Sequence, residues 1–272
     1  MVSLYNDEFQ VKIHPAGAEL HSVFSVKNSI EYLWQAEKET WPRHAPNLFP
    51  IVGKLKNGSY SFEGKKYELP QHGFARDLNF ELISSSQTSA VFELCANEET
   101  LKVFPFHFSF KISYSLLGDK LRTNYSVFNP FHEPLYFSLG AHPGFSCQVK
   151  NAVGLEDFFI EFENEETTKR FFVEEGLISP ETENFKTENK KFFLKKEIFA
   201  KDALVFKDLS SHSLKLLNTK NTHGIKMEWS PEFSYFGIWT KPNCDKFICL
   251  EPWTGIADST NTSGNLIEKE GI

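Results

Sequence analysis

Short stretches that alternate apolar and polar residues run the length of this chain, broken by Gly, Pro, Asn or Asp roughly every dozen residues. That rhythm suits strands and turns and leaves little room for helices. Tyr60 to Tyr67 reads as two strands around Glu63-Gly64, and Phe108 to Tyr114 leads through Gly118-Asp119 into Leu121 to Val127, so both are expected to be hairpins. The helical candidates are Asn97 to Val103 and the charged stretch Asn164 to Arg170, and they do not recur in a βαβ rhythm. An all-β antiparallel protein is therefore expected. The charged run from Glu174 to Lys196, interrupted by Pro180, reads as a solvated surface loop. No linker, repeat or low-complexity tract divides the chain, so residues 1–272 are expected to form a single domain.

Composition narrows the partners. A 40% hydrophobic chain with 28 Phe can fill a large core. A formal charge of −7 provides no broad basic surface for a phosphate backbone, which argues against nucleic acid. No run approaches the ~20 apolar residues of a membrane helix. The opening MVSLYNDEFQVKI has no basic region followed by an apolar stretch, so no membrane association and a cytoplasmic location are expected. The four cysteines sit among apolar or aromatic residues and read as reduced core thiols.

Three segments join reactive side chains to Gly or Pro, as loops do at the mouth of a sheet: Gln71 to Asp77 (QHGFARD), Gly140 to Phe145 (GAHPGF) and Cys249 to Gly255 (CLEPWTG). His142 stands between a strand-like run, Leu135 to Leu139, and a Pro-Gly turn; alone it would read as a turn residue. Glu251 follows the apolar run Phe247 to Leu250. A carboxylate there is costly unless paired or used, and burial would raise its pKa toward that of a general base working near neutrality. His72 and Arg76 flank a Gly-Phe turn, where a surface turn with an Arg76–Asp77 ion pair is the plain alternative. No His-x-His, His-Glu-x-x-His or zinc-knuckle spacing occurs, so no metal site is expected. The absence of Gly-x-Gly-x-x-Gly, phosphate-loop and Gly-x-Ser-x-Gly patterns removes support for nucleotide cofactors and acyl-enzyme chemistry.

Taken in order, HGFAR, GAHPGF and LEPWTG resemble the aldose 1-epimerase (galactose mutarotase-like) family, most closely its bacterial LacX-like branch. The likeness extends from Ala16 to Leu20 through Pro46 to Gly53 and on to Asp258. The resemblance implies a large antiparallel β-sandwich with few short helices, and a sugar 1-epimerase (mutarotase) that needs no cofactor and binds a small aldose. It implies that His142 is the general acid, Glu251 the general base and His72 a substrate-binding residue. Asp202 aligns with an aspartate that binds sugar hydroxyls, and Lys54 stands near a position where arginine is more common. Arg76 is similar to an arginine of the glucose-6-phosphate 1-epimerase branch, which keeps a sugar phosphate open as substrate. Trp34, Trp239 and Trp253 are available to stack on a pyranose. Two rival functions stand beside the epimerase. A noncatalytic carbohydrate-binding sandwich would keep the aromatics without the acid and base. A glycosidase would need a second carboxylate, for which Asp202 is the obvious candidate.

Overall fold

A computed structural model describes all residues 1–272, and every strand ladder in it is antiparallel. The strands form one eight-stranded sheet, three four-stranded sheets and a two-stranded ribbon. This is the all-β architecture expected from the alternating pattern. No helix is long and apolar enough to cross a membrane.

Local chemistry explains the elements that were legible in advance. Ser59–Phe62 pairs with Lys65–Glu68 around Glu63 and Gly64, both with positive φ, 50° and 74°, the twist that a two-residue hairpin requires. Ser109–Leu117 and Lys120–Phe128 form the second expected hairpin. The one α-helix, Glu98–Val103, starts where Asn97 accepts from the backbone N–H groups of Glu99 and Thr100 while Thr100 accepts from that of Asn97.

Four expectations are corrected. Asn164 to Arg170 is not helical; its second half enters the strand Thr167–Glu174, where Thr, Phe and Val favour a pleated surface. The charged run beyond Glu174 is not a loop but supplies the strands Leu177–Lys186 and Lys191–Phe193. The first is the outermost strand of the eight-stranded sheet, and its charges point to solvent along an otherwise open edge. Leu135 to Leu139 joins no ladder, because its last backbone groups bond to loops: Ser138 N donates to Pro50 O, and Leu139 N to Thr254 Oγ1. All four cysteines are free, but Cys95 is exposed rather than a core thiol.

Two large apolar cores flank the sheets. In one, Phe49 packs against Phe108 and Phe110 with ring centroids 4.9 and 4.5 Å apart. The other holds Phe158, Phe162, Phe199 and Phe206. A smaller cluster, including Val52, Ile178, Val205, Trp253 and Ile256, lines a cleft.

Candidate active site

Phe247–Trp253 lies inside the eight-stranded sheet and is buried at all seven positions. One flank pairs with Tyr235–Trp239, and the other with two short pieces, Gly140–Ala141 and Gly144–Ser146. Gly140 stands opposite Trp253 and Gly144 opposite Cys249. Carried across the gap at Pro143, that register sets His142 opposite Glu251, and directly opposed residues on one face of a sheet are neighbours. His142 Nε2 lies 3.2 Å from Glu251 Oε2. Across the other flank Glu251 faces Gly237, whose missing side chain makes room for the Trp253 ring; a Cβ there would sit 2.4 Å from that ring.

His72 reaches the same cleft from a separate loop. It and Gly73 both adopt left-handed backbone conformations, φ 67° and 70°, and a Cβ on residue 73 would lie 2.3 Å from Phe49 O. The Gly53 N–H donates to His72 Nδ1 at 3.1 Å. Because an amide N–H can only donate, Nδ1 is the unprotonated nitrogen of a neutral ring and Nε2 carries the proton. His72 Nε2 therefore presents a donor, and the Gln71 Nε2 amide group 3.3 Å away, a donor too, does not accept from it. The His72 and His142 rings meet edge to face at 5.6 Å. Asp202 enters from the turn before Leu204–Phe206, again in a left-handed conformation (φ 70°), with Oδ1 accepting from the Ala203 N–H.

Burial dominates the electrostatics. Glu251 is only 2% exposed, and desolvation, reinforced by the charge of Asp202, raises its pKa well above the ordinary 4.5. Desolvation and then the Arg76 cation push His142 down to about 3. His72 is lowered well below 6.5, first by burial and then by His142 and Arg76. His142 Nδ1, Glu251 Oε2 and Trp253 Nε1 are buried without a hydrogen-bond partner, the condition of groups waiting for one.

The structure thus brings His72, His142, Asp202 and Glu251 to one cleft, with Trp239 and Trp253 in its walls. Arg76 and Lys54 do not line it. Arg76 donates to Gln71 O at 2.8 Å and lies 3.7 Å from Asp77, which is itself held by Arg43 at 2.8 Å. The Lys54 ammonium donates to Glu175 O. Trp34 lies behind the site, stacked on Phe247. Sequence reasoning missed Trp41, which stacks on His142 at 5.1 Å from a polar loop without strand pattern, and Gln71, whose only signal was adjacency to His72. It also missed two groups whose ligand atoms all lie within 4.8 Å of one another: His142, Cys249 and Glu251, and Glu19, His21 and His44. Each draws one ligand from a remote segment, which no spacing rule captures.

Comparison with known proteins agrees with this architecture. The aldose 1-epimerase family profile matches residues 1–270. The protein LacX (plasmid) of Lactococcus lactis subsp. lactis is 31% identical over 276 residues, covering 98% of this chain and 91% of LacX. A galactose mutarotase related enzyme from Lactobacillus acidophilus superposes with a TM-score of 0.91 at 36% identity, covering 99% of this chain and 90% of its own. A galactose mutarotase-like protein from Lactobacillus casei gives a TM-score of 0.90 at 29% identity over 100% and 93% of the two chains. On its sequence, its sheet topology and these matches, the chain belongs to the aldose 1-epimerase family.

Proposed function

We propose that the protein is a sugar 1-epimerase that interconverts the α and β anomers of an unphosphorylated aldose, with Glu251 and His142 exchanging protons with the sugar and His72 and Asp202 holding its hydroxyls. The observation that carries this reading is the buried 3.2 Å approach of His142 Nε2 to Glu251 Oε2 across adjacent strands. The chain acts in this reading as one domain.

With Glu251 raised and His142 lowered, the two share one proton and titrate as a pair. In the free cleft that proton rests on Glu251. Passed to His142, it leaves a carboxylate facing an imidazolium. The carboxylate takes the proton from the anomeric hydroxyl while the imidazolium gives one to the ring oxygen, and the C1–O5 bond breaks to leave a free aldehyde. Glu251 is again protonated and His142 neutral. Rotation about C1–C2 followed by the reverse transfers closes the ring on the other face. Each positioned acid or base contributes about 10²- to 10⁴-fold. A noncatalytic binding protein would gain nothing from burying a carboxyl beside an imidazole whose Nδ1 has no partner.

The cleft favours a neutral sugar. Its lining contains Asp202 and Glu251 but no Lys or Arg, and Arg76, whose charge reaches His72 and His142, is engaged by Gln71 O and Asp77, so a phosphate dianion there would face the Asp202 carboxylate. Freshly dissolved glucose, galactose and glucose 6-phosphate followed by polarimetry or NMR exchange test the reading. Neutral sugars are expected to equilibrate at least tenfold more efficiently than the phosphate, and Glu251→Gln to lower kcat by about 10² with the fold intact. A phosphate preference that vanishes in Arg76→Ala would reverse the assignment, and undiminished turnover in Glu251→Gln would remove the proposed base.

A further inference from the structure

Apart from the cleft, the most concentrated set of ligating side chains lies on Glu19–Ser25 and the loop that precedes Asn47–Leu48. The Glu19 carboxylate is buried, and its two oxygens do different jobs. Oε1 accepts from the backbone N–H groups of His44 and Ala45 at 2.8 and 2.9 Å, which fixes the plane of the carboxylate. Oε2 is 3.7 Å from His21 Nε2. The His21 and His44 rings stack with 4.0 Å between centroids. His14 stacks on the far face of the array, 5.1 Å from His21, but its Nδ1 is occupied by the Ala16 N–H.

From this geometry we infer a binding site for one late first-row divalent cation of the zinc class, with Glu19 Oε2, His21 and His44 as ligands. Two imidazoles and a carboxylate are the donor set that zinc, nickel and copper take, and a rigid, backbone-anchored carboxylate supplies the charge. The three ligand atoms already lie within 4.8 Å of one another. Ligands on a tetrahedral ion at about 2.0–2.1 Å stand roughly 3.3 Å apart. To reach that spacing the His21 ring, whose side chain is 25% exposed, has to swing out of its stack with His44 so that the two imidazole lone pairs converge on one ion. Third-ligand closure by His44 also has a structural consequence. His44 O accepts from Gly144 N at 2.8 Å, and Pro46 O accepts from His142 N at 3.1 Å, so an ion held by His44 stiffens the backbone on which His142 hangs. The inference is independent of the epimerase reading.

The competing destination for such an ion is the cleft, where His142, Cys249 and Glu251 form the other cluster. Zn²⁺ titration by calorimetry, with the thermal unfolding midpoint followed in parallel, separates the two. The expected result is one equivalent bound by the parent protein and by Glu251→Gln with an upward shift of Tm, and binding weakened about tenfold or more in Glu19→Gln, His21→Ala and His44→Ala. Glu19→Gln keeps an amide oxygen for the His44 and Ala45 N–H groups, so its fold is preserved. Binding lost in Glu251→Gln but retained in Glu19→Gln would assign the ion to the cleft and overturn the inference, and absence of any zinc-dependent heat or Tm shift in the parent would overturn it as well.

Discussion

At Glu251 the role proposed for it in catalysis and the requirements of stability oppose each other. A carboxyl whose folded pKa is raised contributes stability that is fully present below its unfolded value near 4.5 and is lost as pH rises toward the folded value. Glu251→Gln removes that loss, so the variant is expected to unfold at a higher temperature than the parent at pH 7–8, with the advantage shrinking as pH falls and gone by about pH 4.5. Calorimetry across that range checks it, and a destabilised variant at pH 8 would identify a structural carboxylate. His142 works in the opposite sense. Its folded pKa lies at about 3, so its contribution is present above 6.5 and is lost as pH falls from there toward 3. If the pair acts with one shared proton, as proposed, kcat/KM is expected to stay level through pH 6.5 and to fall on the acid side near 3, where His142 takes a second proton. An acid limb near 6.5 would mean that His142 titrates as an ordinary exposed histidine. The double variant His142→Asn/Glu251→Gln is expected to be little slower than either single one, since the two act as a unit.

The strand Phe247–Trp253 shows what an element contributes beyond its residues. Its apolar run signals burial, but the usefulness of Glu251 depends on neighbours set by register: His142 on one flank and Gly237 on the other. Trp253 lies over Gly237, with the would-be Cβ 2.4 Å from the ring. Gly237→Ala is therefore expected to displace the indole that walls the cleft, at a cost of about 1–3 kcal/mol, and to raise KM as well. Chemical denaturation together with kinetics measures both, and a variant unchanged in the two would show that Trp253 can yield freely. The capped helix Glu98–Val103 lies outside the cleft lining, so it serves as a control: Asn97→Ala is expected to lose about 1 kcal/mol with unchanged turnover.

Across the whole molecule, Asp258 ties distant segments to the cleft wall. Its Oδ2 accepts from Lys56 N at 2.9 Å, its N–H donates to Lys54 O, its carbonyl accepts from Ile178 N, and its Oδ1 lies 3.3 Å from the buried ammonium of Lys269. Lys269 also donates to Ile256 O, so residues near the end of the chain brace Ile256 and Ala257, both of which line the cleft. Removing one partner of such a buried pair strands the other charge. Lys269→Ala is expected to cost about 3–5 kcal/mol. Urea unfolding tests this, and a loss below about 1 kcal/mol would show that water reaches Asp258.

Strand rhythm, hairpin turns, the capped helix and the segments bearing His72, His142 and Glu251 were determined by the sequence, because each depends on chemistry within a few residues. The charged edge strand Leu177–Lys186 was not legible, since a strand with one open edge can carry charges that composition alone assigns to a loop. Nor were the stacking of Trp41 on His142, the withdrawal of Arg76 and Lys54 from the cleft lining, or the joining of Glu19 and His21 to His44. Those were decided by tertiary structure, for a physical reason: register and sheet packing set which remote side chains share a dry space, and only there do burial and neighbouring charge drive Glu251 and His142 apart in proton affinity.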